Sequence, residues 1–234
     1  MRLAKLREQV LEANLDLVRR GLVLSTFGNA SGIARKEGLI VIKPSGVPYD
    51  RMKPSDLVVT DLQGKIVEGK LRPSSDLPTH AALYRAFPAI GGIAHTHSEY
   101  ATAWAQARKP IPCFGTTHAD YFHGPIPLTE SMTDEEITGE YEANTGNVIV
   151  RAFKGLDPMT IPVVLVANHG PFAWGADPEH AAENAWMLEA AARMAFLTVS
   201  VNANAGAIGK TLHDKHFLRK HGSEAYYGQP KKKG

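Results

Sequence analysis

The first 70 residues carry short apolar runs separated by turn signals, and this pattern limits the fold more than any other feature of the chain. Side-chain alternation and β-branched residues predict strands over 22–25, 32–34, 39–43, 57–61 and 65–68. Very short connections join the second run to the third and the fourth to the fifth. Connections of that length permit only antiparallel neighbours. We therefore expect a largely antiparallel sheet in this part of the chain.

Helical periodicity begins before these runs and dominates after them. Apolar residues at 3, 6, 10, 13 and 17 form one stripe of a first helix. Later patterns predict helices over 78–87 and 100–107, from Thr133, over 178–197 and over 212–220, and strands over 90–94, 147–153 and 161–168. Hairpins with helices between them indicate an α+β or layered αβα domain with a mixed, mostly antiparallel sheet. We expect a single domain over residues 1–229 and a disordered basic tail over 230–234.

Composition argues against several classes of protein. The 234 residues carry a formal charge of +2 with scattered Lys and Arg, so we expect no nucleic-acid partner. No apolar run is long enough to cross a bilayer, so we expect no membrane partner. The single cysteine, Cys113, cannot form an intramolecular disulfide and fits a reducing compartment. These features predict a soluble cytoplasmic protein.

Two of the predicted strands end in histidines. His95 and His97 follow the apolar run 90–94, and His169 follows the run 161–168. Residues two apart on a strand share one face, so the first two imidazoles can hold one transition-metal ion. A third imidazole leaves an open coordination position, as in catalytic zinc sites. The alternative interpretation is that these histidines are only hydrogen-bonded in a polar pocket.

Three loops have the composition of anion cradles. Segments 28–31, 43–46 and 73–75 combine small residues, hydroxyl groups and free amides, and Lys43 adds a positive charge. Asp76 follows the third loop and is the best-placed carboxylate to join the metal. On pattern alone, an ordinary helix N-cap is the commoner role for an aspartate in that position. The loops therefore suggest a phosphorylated small molecule only in combination with the histidines.

Longer motifs then resemble a known family. They occur in the order Gly28-Asn29, Lys43 to Gly46, Pro73 to His80, His95 to His97, Gly115 to Phe122, Gly139 to Glu142, Asn168 to Gly170, Lys215 to Gly222 and Ala225 to Gln229. From the first helix to Gln229 the chain is similar to the class II sugar-phosphate aldolases and epimerases. Asp76, where related fuculose-phosphate aldolases carry Glu, and the segment 116–121 favour the 4-epimerase branch.

The resemblance implies a three-layer αβα fold and a homotetramer with active sites between subunits. It implies Zn²⁺ as the cofactor, with Mn²⁺ or Co²⁺ as alternatives. By the same resemblance, the metal residues are Asp76, His95, His97 and His169. The substrate contacts are Gly28, Asn29, Lys43, Ser45, Gly46, Ser74, Ser75, Thr116 and His216. Proton transfer falls to Asp120 and to Tyr227, which would come from an adjacent subunit.

The activity implied is that of an isomerase acting on a phosphorylated ketopentose. It would interconvert L-ribulose 5-phosphate and D-xylulose 5-phosphate by breaking and re-forming the C3–C4 bond. Breakdown of arabinose, ascorbate or other pentuloses can use this reaction. Two alternatives stay open at this point: a class II aldolase of a fuculose- or rhamnulose-phosphate type ketose, and a non-catalytic binding module of the same fold.

Overall fold

The structure is a computed structural model that describes residues 1–228. The predicted tail over 230–234 lies outside this range. Eight helices are defined in it: α1 (Ala4–Arg19), α2 (Leu77–Ala86), α3 (Glu99–Gln106), α4 (Thr116–Ala119), α5 (Asp134–Thr138), α6 (Tyr141–Ala152), α7 (Pro178–Val201) and α8 (Lys210–His221). The strands are β1 (Asn29–Ala34), β2 (Leu39–Ile42), β3 (Val58–Asp61), β4 (Ile66–Glu68), β5 (Gly92–His95), β6 (Val163–Leu165) and β7 (Pro171–Gly175).

One seven-stranded sheet forms the middle of the molecule, in the order β4-β3-β2-β1-β5-β7-β6. Each pair of neighbouring strands in residues 1–228 is antiparallel. The parallel component is an isolated bridge between Leu128 and Leu165. The predicted α/β class with a mostly antiparallel central sheet is therefore confirmed. The two predicted hairpins, β1-β2 and β3-β4, form as the short connections require.

Helices cover both faces of this sheet. On one face Gly32 of β1 packs against Leu6 of α1 and Pro178 of α7. On the other face the neighbouring Ser31 bonds His80 and Tyr84 of α2. Alternation along β1 thus directs consecutive residues to opposite helix layers. The three-layer αβα arrangement follows from this alternation, and most of the apolar core lies between the layers.

The predicted strand over 147–153 is wrong, because this stretch lies in α6. Val148 and Ile149 have β-branched side chains that favour strands, but they are fully buried on one helix face. α6 packs tightly on α2, and a Cβ at Gly146 would lie only 2.6 Å from the Ala82 Cβ. Tertiary packing of the helix pair therefore outweighs local strand propensity here.

Two further differences concern strands: one predicted strand does not form, and one observed strand is not predicted. The predicted strand over 22–25 is irregular backbone after α1, where the Leu22 amide donates to the Leu17 carbonyl and ends the helix. The sequence pattern does not predict β7, although Pro171 stands at its first position, where a strand tolerates proline. β7 lies between β5 and the edge strand β6, and it brings the segment after β6 beside β5.

Membrane-crossing length and apolarity are not combined in any helix of residues 1–228. The longest of these helices, α7, has 24 residues but is interrupted by charged side chains such as Glu183 and Glu189. Its buried face consists mainly of alanines. Small side chains let this helix approach β5 and β7 closely.

Gly92→Ala is expected to destabilise the fold by about 1–3 kcal/mol, the usual cost of overpacking a tight site. A Cβ at Gly92 would collide with the main chain between Asp177 and Pro178, which cannot move aside as a side chain could. Urea denaturation of both proteins measures the effect. Gly206→Ala is the matched control, since a Cβ there meets no atom within 4 Å. Equal stability of the two variants would contradict the argument.

Candidate active site

Three histidines meet because β5 and β7 run antiparallel. His95 ends β5 and pairs with Phe172 at the start of β7. The turn between β6 and β7 therefore lies at the same edge of the sheet as the end of β5, and it carries His169. Asn168 holds this turn in the left-handed conformation at φ 60°. His97 follows β5 by two residues, so all three imidazoles lie at one edge.

The three imidazoles form a compact cluster. The ring centre of His95 lies 4.9 Å from those of both His97 and His169, and one ligand nitrogen from each residue lies within 4.8 Å of the others. One ion can bridge that spacing after small side-chain rotations. Burial, followed by the neighbouring imidazoles, lowers the pKa of His169 to about 3. Burial also lowers the pKa of His97, so both rings are neutral at pH 7 and have a free lone pair.

Surrounding groups orient these rings. His95 Nδ1 donates to the Pro171 carbonyl at 2.9 Å, which leaves Nε2 free for a metal. The same ring stacks on Phe172 with 4.0 Å between centres. The Tyr141 hydroxyl lies 3.3 Å from His169 Nδ1. The sequence motif around Tyr141 gives this residue no role, because only the fold brings α6 to the β6-β7 turn.

Tyr141→Phe is expected to weaken metal affinity about 10- to 100-fold, the usual effect of removing a partner of a metal-ligating histidine. The substitution removes the hydroxyl that orients His169 and leaves the ring in place. Titration of metal-free protein with Zn²⁺ against a competing chelator measures the change. Tyr226→Phe removes an exposed hydroxyl and serves as the control. Unchanged affinity in Tyr141→Phe would show that this hydroxyl does not orient a ligand.

Asp76 lies beside the cluster. It stands at the N-cap position of α2, yet its side chain accepts no capping hydrogen bond. Its carboxylate instead accepts a hydrogen bond from Asn29 Nδ2 at 2.6 Å. Asp76 does not belong to the cluster of three histidines whose ligand nitrogens lie within 4.8 Å of one another. It is nevertheless close enough for its charge to interact with His95 and His169. Its side chain is therefore directed at the site rather than at the helix end.

The three predicted anion loops are tied to one another and to the histidines. Tyr49 donates to the Gly28 carbonyl at 2.7 Å, and a Cβ at Gly28 would lie 3.0 Å from the His95 carbonyl. The Ser74 amide donates to the Lys43 carbonyl at 2.9 Å. The second and third loops therefore lie side by side. Seven of the nine predicted substrate contacts fall in this one region: Gly28, Asn29, Lys43, Ser45, Gly46, Ser74 and Ser75.

Two buried polar groups in this region lack a strong partner among residues 1–228. Lys43 is 2% exposed, and its ammonium reaches only the Pro44 carbonyl at 3.3 Å and the Tyr49 ring at 4.6 Å. Burial lowers the pKa of Lys43. The Oδ1 atom of Asn29 is buried without a hydrogen bond. A buried cation and an unpaired amide oxygen beside hydroxyl-bearing loops suit an anionic, hydroxylated ligand.

Asp120 belongs to a second cluster. It is the C-cap residue of α4, and Arg219 of α8 donates two hydrogen bonds, of 3.0 and 2.8 Å, to its carboxylate. His216 Nδ1 adds a third at 3.0 Å. Burial opposes ionisation of Asp120, but the bonds from Arg219 and His216 outweigh it and hold the pKa below its usual value. Thr116 lies one helical turn earlier, and its carbonyl accepts the Asp120 amide.

Tyr227 lies in the same second cluster. Its ring faces the Arg219 guanidinium at 4.8 Å, and its amide donates to the Arg219 carbonyl. The side chain is 59% exposed. The structure thus places Thr116, Asp120, His216 and Tyr227 together, apart from the histidine cluster.

The two clusters lie at opposite ends of the β5-β7 pair. Tyr227 lines a cleft that also contains Gly175. Gly175 pairs with Gly92 at the start of β5, whereas His95 lies at the other end of that strand. The strand rise between them is about 10 Å. Within one chain, the two predicted proton-transfer residues therefore do not share a pocket with the histidines.

The fold and the histidine edge define a class of protein. A family model described as "Class II Aldolase and Adducin N-terminal domain" matches residues 8–196. The chain belongs to this family. The resemblance noted from the sequence motifs is confirmed.

Two relatives that share one name are similar to nearly the whole of this chain. The L-ribulose-5-phosphate 4-epimerase UlaF of Salmonella paratyphi A is 54% identical over 225 residues, which cover 96% of this chain and 99% of the relative. The protein of the same name from Salmonella typhi matches equally well. The similarity therefore spans nearly the full length of both relatives.

Solved structures show the same fold at lower identity. An L-fuculose 1-phosphate aldolase superposes with a TM-score of 0.77 and 26% identity, covering 91% of this chain and 94% of the other. The L-fuculose-1-phosphate aldolase of Thermus thermophilus gives a TM-score of 0.65 and 26% identity, with coverages of 88% and 100%. The αβα core is thus common to these aldolases and to this chain.

Proposed function

We propose that this protein is an L-ribulose-5-phosphate 4-epimerase, an isomerase that interconverts L-ribulose 5-phosphate and D-xylulose 5-phosphate. The observation that carries the proposal is the histidine cluster, His95, His97 and His169, beside three interlocked anion loops. The 54% identity to an epimerase along nearly the whole chain supports the same activity. A single domain over residues 1–229 and a cytoplasmic location are part of this proposal.

The substrate explains why a metal and an anion site belong together. The carbonyl is at C2, so the C4 proton is not acidic and its removal would leave an unstabilised carbanion. Cleavage of the C3–C4 bond instead yields an enediolate and glycolaldehyde phosphate. Rotation of the aldehyde and addition to its other face then invert C4. The reaction needs stabilisation of negative charge on one fragment and retention of the other.

The residues at the histidine edge fit a divalent metal. Two of the three imidazoles are held neutral, and the third has one nitrogen fixed by a carbonyl and the other free. Nitrogen ligands with an adjacent carboxylate favour Zn²⁺, with Mn²⁺ or Co²⁺ as alternatives. When bound, such a metal supplies Lewis-acid stabilisation of the developing negative charge. Asp76 would complete the set of metal ligands or accept a hydrogen bond from a substrate hydroxyl.

The anion loops would retain the aldehyde fragment. Lys43, Ser45, Gly46, Ser74 and Ser75 lie on two adjacent loops, and their ammonium and hydroxyl groups would bind the phosphate. Because the phosphate is anchored, the aldehyde can turn without escaping, which keeps the effective concentration for re-addition high. Gly28 and Asn29 would border the reacting carbons, since they lie next to His95.

Proton transfer would come from a neighbouring copy. The C4 hydroxyl must lose a proton for cleavage and regain one after addition to either face, which requires a group on each side. Asp120 and Tyr227 would fill these roles, with Thr116 and His216 near the substrate. Because both lie away from the histidines of their own chain, we infer that a second copy presents them. This extends the expectation that only the tyrosine crosses over.

Exposed apolar side chains on α7 support such an assembly. Apolar side chains are exposed along α7, namely Trp186, Met194, Phe196, Leu197 and Val201. Exposed apolar residues in this number are typical of surfaces that another protein covers. A homotetramer with four equivalent interfaces would cover this surface and build four composite sites.

Mixed assemblies test the composite site. The single variants His97→Asn and Asp120→Asn are each expected to be nearly inactive. Co-refolding the two is expected to restore part of the wild-type activity, because some interfaces pair an intact histidine cluster with an intact Asp120. Co-refolding two samples of the same variant is the control. Absence of recovery in assemblies shown by mass spectrometry to be mixed would contradict a site shared between copies.

The proposed activity is tested with metal-loaded protein and L-ribulose 5-phosphate. Formation of D-xylulose 5-phosphate without net cleavage is the expected result. An aldolase is the second candidate, since an L-fuculose 1-phosphate aldolase has the same fold with a TM-score of 0.77. Net release of dihydroxyacetone and glycolaldehyde phosphate would favour it. Neither product, from protein that binds metal stoichiometrically, would overturn both enzymatic readings.

A further inference from the structure

We propose that Arg219 is a positioning residue that fixes Asp120 and Tyr227 relative to each other as one proton-transfer unit. The inference rests on the proposed function, in which these two residues exchange protons with the substrate. Arg219 lies in the last turn of α8 and is not among the residues that the sequence motifs assign to the site. Its side chain contacts both partners, and its main chain contacts one of them.

The contact with Asp120 is bidentate. Arg219 Nε donates to Oδ1 at 3.0 Å and Nη2 donates to Oδ2 at 2.8 Å. The Asp120 side chain is 14% exposed and that of Arg219 23%, so water screens the pair only partly. A guanidinium that engages both oxygens fixes the plane of the carboxylate, which a lysine ammonium cannot do.

Both the main chain and the side chain of Arg219 contact Tyr227. The carbonyl of Arg219 accepts the amides of Tyr226 and Tyr227, each at 3.0 Å, and so bends the chain back onto α8. The guanidinium carbon lies 4.8 Å from the Tyr227 ring centre. This cation–π contact restrains a ring that stays largely exposed to solvent. Loss of the Arg219 side chain would remove one of the two cations that face the ring, since Lys220 Nζ also lies 4.8 Å from the ring centre, and would leave the main-chain turn intact.

Other charged groups around Asp120 define what Arg219 adds. His216 donates to Oδ1, Lys220 lies near enough to act on the carboxylate, and His221 donates to the Asp120 carbonyl. From the α4 side, Tyr121 is the neighbouring titratable group, and its hydroxyl donates to Glu183 of α7. Lys220 also faces the Tyr227 ring at 4.8 Å, but of these groups Arg219 alone among residues 1–228 both donates hydrogen bonds to the Asp120 carboxylate and faces that ring.

Arg219→Gln is expected to lower kcat about 100-fold, because a shift of a reacting group by about 1 Å costs a factor of that size. KM should change less than about twofold, since the metal and phosphate residues are untouched. Loss of the guanidinium should raise the Asp120 pKa. In the reaction direction in which ionised Asp120 acts as the base, kcat should therefore begin to fall at a higher pH than in the wild type as the solution is made more acidic. A ¹³C NMR titration of the Asp120 carboxyl reports the same rise without activity.

Two further variants separate positioning from mere structure. Arg219→Lys keeps the charge, so its acid limb should stay near that of the wild type while kcat remains reduced. Lys215→Gln, on the same helix, removes a cation that faces the Tyr226 ring at 5.1 Å, and should behave as the wild type. Thermal denaturation of all variants measures any loss of folding.

The outcomes distinguish the inference from the function on which it rests. Wild-type protein that does not epimerise L-ribulose 5-phosphate would overturn both. An active wild type with an Arg219→Gln variant that keeps kcat within about twofold and an unchanged Asp120 titration would overturn the inference alone. Equal losses in Arg219→Gln and Lys215→Gln would reduce Arg219 to a structural residue of α8.

Discussion

His97→Asn is expected to lower epimerase activity at least about 1,000-fold and to remove the tightly held metal. One of the three clustered nitrogens is lost, and two imidazoles with Asp76 cannot hold the ion with the same affinity. Lewis-acid stabilisation is worth several kcal/mol in the transition state, and each step of about 1.36 kcal/mol is a factor of ten in rate. Metal analysis of the purified variant and single-turnover assays measure both effects.

The matched control for this variant is His180→Asn. His180 is an exposed histidine at the start of α7, and its ring bonds Asp177 rather than the site. Metal content and activity should equal those of the wild type. A His97→Asn variant that retains one equivalent of metal and most of its activity would remove His97 from the ligand set.

Asp120→Asn is expected to lower kcat by a factor of about 100 to 10,000, the range for loss of a positioned general acid or base. Metal content should not change, because Asp120 makes no contact with the histidine cluster of its own chain. An amide keeps the shape of the side chain but cannot accept the C4 hydroxyl proton. Steady-state kinetics in both directions, together with metal analysis, check the prediction.

Asp214→Asn provides the comparison for Asp120→Asn. Asp214 also lies at the α8 surface, where it pairs with Lys210 and His123 and makes no contact with Asp120. Near-normal turnover is expected. If Asp120→Asn kept near-normal turnover as well, the proton-transfer role would have to be assigned elsewhere, and the inference about Arg219 would fail with it.

The hairpins and most helices are predictable from local pattern. Alternation over 39–43 and 57–61, with short turns, predicts the correct strands and the correct antiparallel pairing. The wrong predictions fall where tertiary packing decides. Val148 and Ile149 favour a strand locally but lie in a helix because α6 packs on α2. β7 is not predicted, because its five residues carry no local signal that they pair with strands on both sides.

The residue types of the candidate site are predictable, but their arrangement is not. Histidines at strand ends and hydroxyl-rich loops are local motifs, and they indicate metal and phosphate chemistry by composition. Asp76 illustrates the limit, since its position alone is typical of a helix cap. Only the structure shows that its carboxylate faces Asn29 instead. The assignments of individual ligands and acid–base groups stay predictions until the variants are measured.

The family and the chemical character of the site follow from the sequence, because both depend on side-chain types in short, specific motifs. The tertiary structure decided which motifs meet. It joined the three anion loops to the histidine edge, and it placed Asp120 and Tyr227 around Arg219 at the other end of the β5-β7 pair. The physical reason is that strand pairing and helix packing join residues far apart in the chain, and local sequence carries little record of those contacts.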